Sequence, residues 1–176
     1  MTQIVDSYDL NGGIYYYTVS GNDERAQSFT AGTGNRLANV KLYLRRIGSH
    51  SGNVYVKIYT HSGAYGTNSV GSGDAIAISD PINFNSIGTS YHWQRFMFTG
   101  DNRIKLTDDY YVLSIIDPDG YFRNSIVLGI DKSVLTHSGN YCGYYDGTWR
   151  SDDGLDIYFS VYEVSKSNKL PLHINT

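Results

Sequence analysis

The sequence predicts an all-β fold, an antiparallel two-sheet β-sandwich of the jelly-roll kind. Short runs with strand character recur along the chain, with turn residues about every 8–12 positions. Tyrosine is abundant, with 17 Tyr against 6 Phe and 2 Trp, and tyrosine suits both strands and hydrated contact surfaces. Nineteen Gly and three Pro fit tight turns, and sustained helical periodicity is scarce.

The clearest pattern lies at 36–60, where two alternating runs flank a Gly- and Ser-containing connector at 47–53. We expect a hairpin of antiparallel neighbours. Successive strand side chains point to opposite faces, so each run should bury one edge and show the other. The aliphatic residues expected inside are Val40, Leu42, Leu44, Val54, Val56 and Ile58. The residues expected to share the outer face are Tyr43, Tyr55, Tyr59, Lys41, Arg45 and Lys57.

Further strands are predicted where β-branched and aromatic residues concentrate. They are 14–19, 25–31, 74–79, 91–99, 110–116, 123–130, 140–145 and 155–164. The run 110–116 is apolar on both faces and is expected at the centre of a sheet. The run 74–79 is expected at an edge, since Asp80-Pro81 follows it and proline cannot donate to a strand ladder. Trp93, inside an apolar strand, is expected in the core.

The remaining segments set the boundaries of the predicted domain. Residues 1–13 are polar and are expected to form a loosely ordered lead-in, and 21–24 (GNDE) reads as a turn. DPDG at 117–120 predicts a turn, because proline presets φ at its second position and Gly is favoured at its last. The patternless stretch 165–176 is expected to be a flexible tail, which leaves 1–164 as one sandwich domain.

Charge and composition argue against several classes of partner. The net charge of −3 lacks the concentrated basic patch of nucleic-acid binders, so no nucleic acid is expected. The start, MTQIVDSYDL, carries neither the basic nor the apolar region of a signal peptide. No apolar run is long enough for membrane insertion. Cys142, the single cysteine, is expected to be a small buried hydrophobe.

Catalytic motifs are missing from the sequence. There is no GxSxG elbow, and no local spacing ties any of the five His to a nucleophile or acid. The acidic pairs sit in turns, where Asp hydrogen bonds to backbone explain them without a glycosidase-like carboxylate pair. The sequence therefore predicts that the protein is not an enzyme, and no Cys/His spacing suggests zinc.

Five phrases together carry a resemblance. They are AQSFTAG at 26–32, the run from LANVKLYL to YTHSG at 37–63, SYHWQRFMFTG at 90–100, LTDDYYVLSI at 106–115 and SGNYCGYYDGTW at 138–149. The chain resembles, over roughly residues 5–163, jelly-roll β-sandwich modules of bacterial surface and secreted proteins and of phage structural proteins, which are similar to carbohydrate-binding modules. The resemblance implies a binding or adhesion role without catalytic residues, and an extracellular or virion-surface location.

The same resemblance bears on cofactors. Carbohydrate-binding sandwiches often hold a structural calcium ion between an early and a late strand, and hard cations take carboxylate oxygens. Asp23, Glu24 and Asp156 are the weak candidates for such a site. No cofactor is required by anything else in the sequence.

Two aromatic surfaces are candidates for ligand binding. The first is the Tyr and Lys/Arg face expected at 36–60, since flat rings with long donors match a sugar's apolar face and hydroxyl rim. The second is the segment 140–149, where Asp146-Gly147 predicts a hairpin turn between aromatic runs. There Tyr145 and Trp149 are the candidates, with Trp149 either near the hairpin tip or buried at the sandwich end.

The expected function is a non-catalytic module that binds carbohydrate or a cell-surface glycan through its Tyr-rich surface. The alternative is a virion or cell-surface structural protein whose aromatic face contacts another protein or another copy of itself. A bland interpretation of the tyrosines stays open as well, because a sheet surface favours Tyr for packing alone.

Overall fold

The computed structural model describes residues 1–10, 12–32, 34–107 and 109–164. In these residues the chain forms 14 strands and two short 3₁₀ turns, at Phe84–Ser86 and Gly100–Asn102. The strands are β1 Thr2–Tyr8, β2 Tyr15–Val19, β3 Gly21–Thr30, β4 Leu37–Ile47, β5 Asn53–Ser62, β6 Val70–Ile78, β7 Ile82–Asn83, β8 His92–Met97, β9 Tyr110–Asp117, β10 Ser125–Asp131, β11 Tyr141–Tyr145, β12 Thr148–Asp152, β13 Asp156–Ile157 and β14 Phe159–Val164.

The strands form two seven-stranded sheets. The first sheet runs β1-β14-β4-β10-β13, with β2 paired to β10 and β8 paired to β4. The second runs β12-β11-β3-β9-β5-β6, with β7 paired to β5. The pairs within both sheets are antiparallel. The predicted two-sheet sandwich is therefore confirmed. Among the described strands the chain changes sheet eight times, after β2, β3, β4, β7, β8, β9, β10 and β12, and repeated crossing between two sheets is typical of a jelly roll.

The predicted hairpin at 36–60 is wrong. β4 lies in the first sheet and β5 in the second, so the connector crosses from one layer to the other. The inward prediction is right, because the six aliphatic residues of the two strands are all fully buried. Tyr43, Lys41 and Arg45 therefore face away from the core on one side of the sandwich, and Tyr55, Lys57 and Tyr59 on the other.

The core fills the space between the two sheets with aromatic and aliphatic side chains. Its largest fully buried members include Tyr158, Phe29, Phe84, Phe96 and Phe159. Burial of this kind of apolar area is the dominant favourable contribution to folding. Trp93, predicted to be in the core, lies instead half-buried beside Tyr43 on the outer face of the first sheet, since its β8 position pairs directly with Tyr43.

Two segments differ from the sequence expectation. Residues 2–8 of the predicted lead-in form β1, which pairs along β14 from Thr2↔Val164 to Tyr8↔Phe159. Tyr8 anchors this strand, because its ring is buried and stacks on Tyr158 with centroids 5.6 Å apart. The predicted turn at 21–24 is the start of β3, with an irregular register against β9. The tail predicted at 165–176 lies outside the described residues.

Other expectations hold. β9 lies between β3 and β5 and is almost wholly buried, and β6 is an edge strand. The DPDG turn closes with a hydrogen bond from the Gly120 N–H to the Asp117 carbonyl, 3.0 Å. The side chains described next stand on the outer face of this second sheet, on β3, β5 and β9 at its centre and on β6, β11 and β12 towards its edges.

Candidate binding site on the outer face of the second sheet

The outer face of the second sheet is built around a buried carboxylate. Glu24 of β3 is only 3% exposed. It accepts hydrogen bonds from Lys57 Nζ at 2.5 Å, from Tyr59 Oη at 2.9 and 3.0 Å, and from the Ser114 hydroxyl. A buried charge is tolerated when it is paired and hydrogen-bonded, so Lys57 and Tyr59 are held in place by Glu24.

The carboxylate also affects the Tyr59 hydroxyl. The pKa of Tyr59 is raised well above its usual value, first by burial and then by the negative charge of Glu24. Tyr59 is thus a neutral donor committed to Glu24, and its ring forms part of the floor of the site.

A tight hairpin supplies the aromatic wall. Asp146 and Gly147 have φ values of 50° and 79° between β11 and β12, as a two-residue type I′ turn requires. This turn sets Tyr144 directly opposite Trp149. Trp149 meets Tyr59 edge-on with ring centroids 5.1 Å apart and lies 5.4 Å from Tyr144. The predicted hairpin turn is confirmed, and Trp149 stands two residues after Gly147, near the hairpin tip.

Trp149 bridges the two edge strands of the second sheet. A Cβ added to Gly71 of β6 would lie 2.4 Å from Cζ2 of the indole, so only glycine leaves room for the ring at that distance. Beneath the indole lies a small second core of Ala26, Tyr59, Val112 and Cys142. The predicted burial of Cys142 is confirmed, and burial raises its thiol pKa.

A cleft of about 350 Å³ opens beside Trp149. Tyr144 and Trp149 form one wall, and Asp74, Ala75 and Ile78 of β6 form the other, over a floor of Lys57 and Tyr59. Aromatic walls with a few fixed polar groups are the usual lining of small-molecule sites. Lys57 and Asp74 would supply a donor and acceptors to a hydroxyl-rich ligand lying against the rings.

The predicted ligand residues divide between several places. Lys57, Tyr59 and Trp149 line the cleft. Tyr55, opposite Ile116 on β9, shares their face but is not among the lining residues. Tyr145 points to the other face of the hairpin, where its hydroxyl bonds to that of Tyr141.

Tyr43, Lys41 and Arg45 lie on the far side of the sandwich. Tyr43 stacks on Tyr91 at 5.4 Å, and Trp93 is 5.5 Å away. The guanidinium carbon of Arg45 lies 5.2 Å from the ring centre of Tyr91, and Lys41 Nζ lies 5.0 Å from the ring centre of Tyr162. The aromatic rings of this face cover one another, and its cations lie over ring faces, which is a stable arrangement in itself.

Tyr144 and Asp74 belong to the cleft but are missing from the predicted set. Tyr144 could have been found, because a two-residue turn at 146–147 pairs 145 with 148 and therefore 144 with 149. Asp74 could not, since its position depends on β6 approaching β12 across the sheet.

The weak calcium candidates are not brought together. Glu24 faces outward, whereas Asp156 lies between the sheets and accepts a 2.8 Å hydrogen bond from Gln27 Nε2. Residues 24 and 27 of one strand point to opposite faces, so β3 itself separates the two carboxylates. In the described part of the chain no three His, Cys, Asp or Glu side chains are grouped as metal ligands would be.

The loop histidines make short polar contacts that stay separate. His50 and His137 direct Nε2 at Asp117 and Asp6, at 3.1 and 3.2 Å. His61 Nε2 lies 3.0 Å from the hydroxyl of Ser69, which is fully buried. Within the described residues these pairs do not join into a Ser-His-Asp chain of the kind that activates a nucleophile.

The described helices are also too short and polar to cross a bilayer.

Comparisons with known proteins find a likeness in structure and none in sequence. No protein-family profile and no curated protein matches the sequence. A solved structure of the cysteine protease and lectin-like domains of Cwp84, a surface layer associated protein of Clostridium difficile, superposes with a TM-score of 0.47 at 11% identity. The match covers 82% of this chain and 32% of that one.

Proposed function

We propose that the protein is a non-catalytic carbohydrate-binding module whose ligand lies in the cleft beside Trp149. The observation that carries the proposal is the cleft's composition, with Tyr144 and Trp149 as one wall, Lys57 in the floor and Asp74 in the opposite wall. A pyranose ring presents apolar C–H bonds that pack on aromatic faces, and its hydroxyls need fixed donors and acceptors. The proposed setting is extracellular or on a virion surface, with a cell-surface glycan as partner.

The side chains of the cleft are held by contacts within the protein itself, which supports a binding role. Glu24 holds Lys57 and Tyr59 through short hydrogen bonds, and the Asp-Gly turn holds Tyr144 against Trp149. Side chains already fixed in the bound geometry lose little conformational entropy on binding, so more of the contact energy appears as affinity.

A glycan array with purified protein tests the proposal. We expect binding to a defined set of glycans, with the affinity of Trp149→Ala reduced at least about tenfold by the loss of an aromatic contact. Trp93→Ala is the matched control, since Trp93 is also half-buried but lies on the first sheet. Absence of glycan binding, or equal loss in both variants, would contradict the proposal.

A protein–protein interface is the second candidate, and one observation favours it. Ile76 and Ile78 of edge strand β6 are each 39% exposed, and Ile78 lines the cleft. An unprotected edge strand can pair with another chain. Light scattering would then show a dimer whose population rises with protein concentration, and Ile76→Lys should shift the protein to the monomer. A protein that stays monomeric at all concentrations would contradict the interface and would leave glycan binding as the remaining candidate function.

A further inference from the structure

The β11–β12 hairpin has a second pocket on its other face. Its volume is about 240 Å³, and its lining includes Tyr17, Arg25, Tyr145 and Arg150. The register places Gly143 opposite both Arg25 and Arg150, so the two guanidinium groups flank one position of β11. This pocket shares no lining residue with the cleft beside Trp149.

Gly143 shapes this pocket. A Cβ at that position would lie 2.4 Å from the Tyr145 ring, so glycine allows Tyr145 to fold back across its own strand. The Tyr145 hydroxyl then meets the hydroxyl of Tyr141. One hydroxyl of such a pair donates to the other, whose own hydrogen is left for a further acceptor.

The cations of the pocket lack acidic partners. Arg25 lies over the Tyr145 ring at 4.4 Å and donates from Nε to the Thr18 carbonyl at 3.0 Å. Its Nη1 is buried without an acceptor among the described residues. No ion pair within 4.0 Å joins Arg25 or Arg150 to a described carboxylate.

The surroundings carry charge of both signs. Burial and, to a smaller degree, the nearby charge of Asp23 raise the pKa of Tyr145. Lys132 Nζ lies 5.2 Å from the ring centre of Tyr17, and Tyr17 lines the pocket. Asp152 is the acidic member of the lining, and it already accepts the Gly154 N–H at 2.9 Å. A partly buried guanidinium without an anion carries a desolvation cost that a bound oxoanion would offset.

We propose that this pocket binds the acidic group of a saccharide, a carboxylate or a sulfate ester, between Arg25 and Arg150. The planar guanidinium fork matches both oxoanions, and the tyrosine rings give the attached sugar an apolar surface. The small volume favours a single terminal or side-branch sugar unit. This site does not depend on the cleft beside Trp149.

Isothermal titration with methyl β-glucuronide, a 6-O-sulfated methyl glucoside and neutral methyl glucoside tests the proposal. We expect one or both acidic probes to bind and the neutral probe to bind at least about tenfold more weakly, as the loss of a charge-assisted contact implies. Added salt should weaken binding of the acidic probes. The two acidic arms show whether carboxylate or sulfate is preferred.

Two variants guard against misfolding as an explanation. Arg150 is exposed, so Arg150→Gln should fold normally and lose about tenfold in affinity for the acidic probe. Arg25→Lys keeps the charge but loses the fork, and should also bind more weakly. Trp149→Ala should leave acidic-probe binding unchanged, which separates this site from the proposed glycan cleft. Equal binding of neutral and acidic probes, or full affinity in Arg150→Gln, would overturn the proposal.

Discussion

The outer faces of the two sheets use similar residues in different ways. On the first sheet Tyr43, Tyr91 and Trp93 pack on one another. On the second, Tyr59 donates to a buried carboxylate and packs edge-on against Trp149, which reaches Gly71 on the opposite edge strand. On the first sheet the rings and cations are in contact with one another. On the second sheet a cleft remains, with the polar Lys57 at its floor. The rings lie equally close on both faces, with centroids 5.1–5.5 Å apart, so the difference between the faces lies in the buried carboxylate and the polar groups around it.

The largest effect is expected from removing that carboxylate. Glu24→Ala would leave Lys57, Tyr59 and Ser114 without their acceptor, and breaking a buried charged network costs about 3–5 kcal/mol. Urea unfolding measures the loss. Arg45→Ala is the matched change on the first sheet, where a cation over a ring is worth about 1 kcal/mol or less. Equal losses would mean that the two faces do not differ as described.

Tyr43→Ala should lower the free energy of unfolding by about 2–3 kcal/mol, less than for a fully buried aromatic because Tyr43 is only half-buried. Its glycan affinity should stay unchanged. Trp149→Ala should show the opposite balance, with a clear loss of affinity. Thermal unfolding and glycan titration of both variants measure the two effects. A reduced glycan affinity in a folded Tyr43→Ala variant would indicate that the ligand binds to the first sheet, contrary to the proposal.

The layer between the faces should set the pH response. Burial raises the pKa of Asp156 from 3.8 to about 6. The folded state then binds this proton more tightly than the unfolded state, so this group's contribution to stability falls as pH rises from about 4 to 6. Asp156→Asn keeps the acceptor for Gln27 and should be more stable than the parent by about 1–3 kcal/mol at pH 7. At pH 3 the gain should vanish.

Asp6 should act in the opposite direction. Its pKa is lowered; burial opposes this shift, but His137 and Thr30 stabilise the carboxylate more strongly. Its stabilising effect is present above the unfolded pKa and is lost as pH falls through the folded value. In the Asp156→Asn variant, the free energy of unfolding should therefore still decrease as the pH falls below about 4. Because the two groups act in opposite directions, each is checked by its own variant: an Asp156→Asn protein no more stable than the parent at pH 7 would contradict the Asp156 assignment, and an Asp6→Asn protein as stable as the parent at pH 7 would contradict the Asp6 assignment.

The smallest effects are expected from a matched pair of glycines. In Gly71→Ala the new methyl group would displace the Trp149 indole, for a cost of about 1–2 kcal/mol. In Gly129→Ala it would meet the Tyr43 ring at 2.9 Å and the Tyr43 carbonyl at 3.1 Å, with a similar cost. In a Trp93→Phe background, only Gly71→Ala should shift the fluorescence of Trp149 and weaken glycan binding.

The sequence predicts the inward residues of β4 and β5 because alternation is local. Val40, Leu42 and Leu44 point inward whichever sheet holds them. The sheet assignment is not local, because the connector can either turn within a sheet or cross between sheets. Gly48 takes φ 71° at the start of this connector, and a side chain there would clash with the Arg123 carbonyl. Arg123 lies in the loop between β9 and β10. The residues 47–53 alone therefore do not predict this contact.

The candidate site was predictable to a similar extent. Trp149 and the Asp-Gly turn mark the hairpin, and Lys57 and Tyr59 follow from the outward positions of β5. Their meeting depends on curvature, which brings β6 up to β12 through Gly71 and Trp149. The composition of GNDE predicts a turn at Glu24, yet an irregular start of β3 places this residue on the outer face of the sheet, where it accepts from Tyr59.

The pairing of β1 with β14 has a mechanical consequence. Thr2 lies opposite Val164, so both ends of the described domain leave from one corner. A pulling force applied at these two points would open the β1–β14 ladder one hydrogen bond at a time, since those bonds lie across the strands. A module suspended in this way would yield under tension by peeling its first strand, while Trp149 and the remainder of the second sheet stay folded.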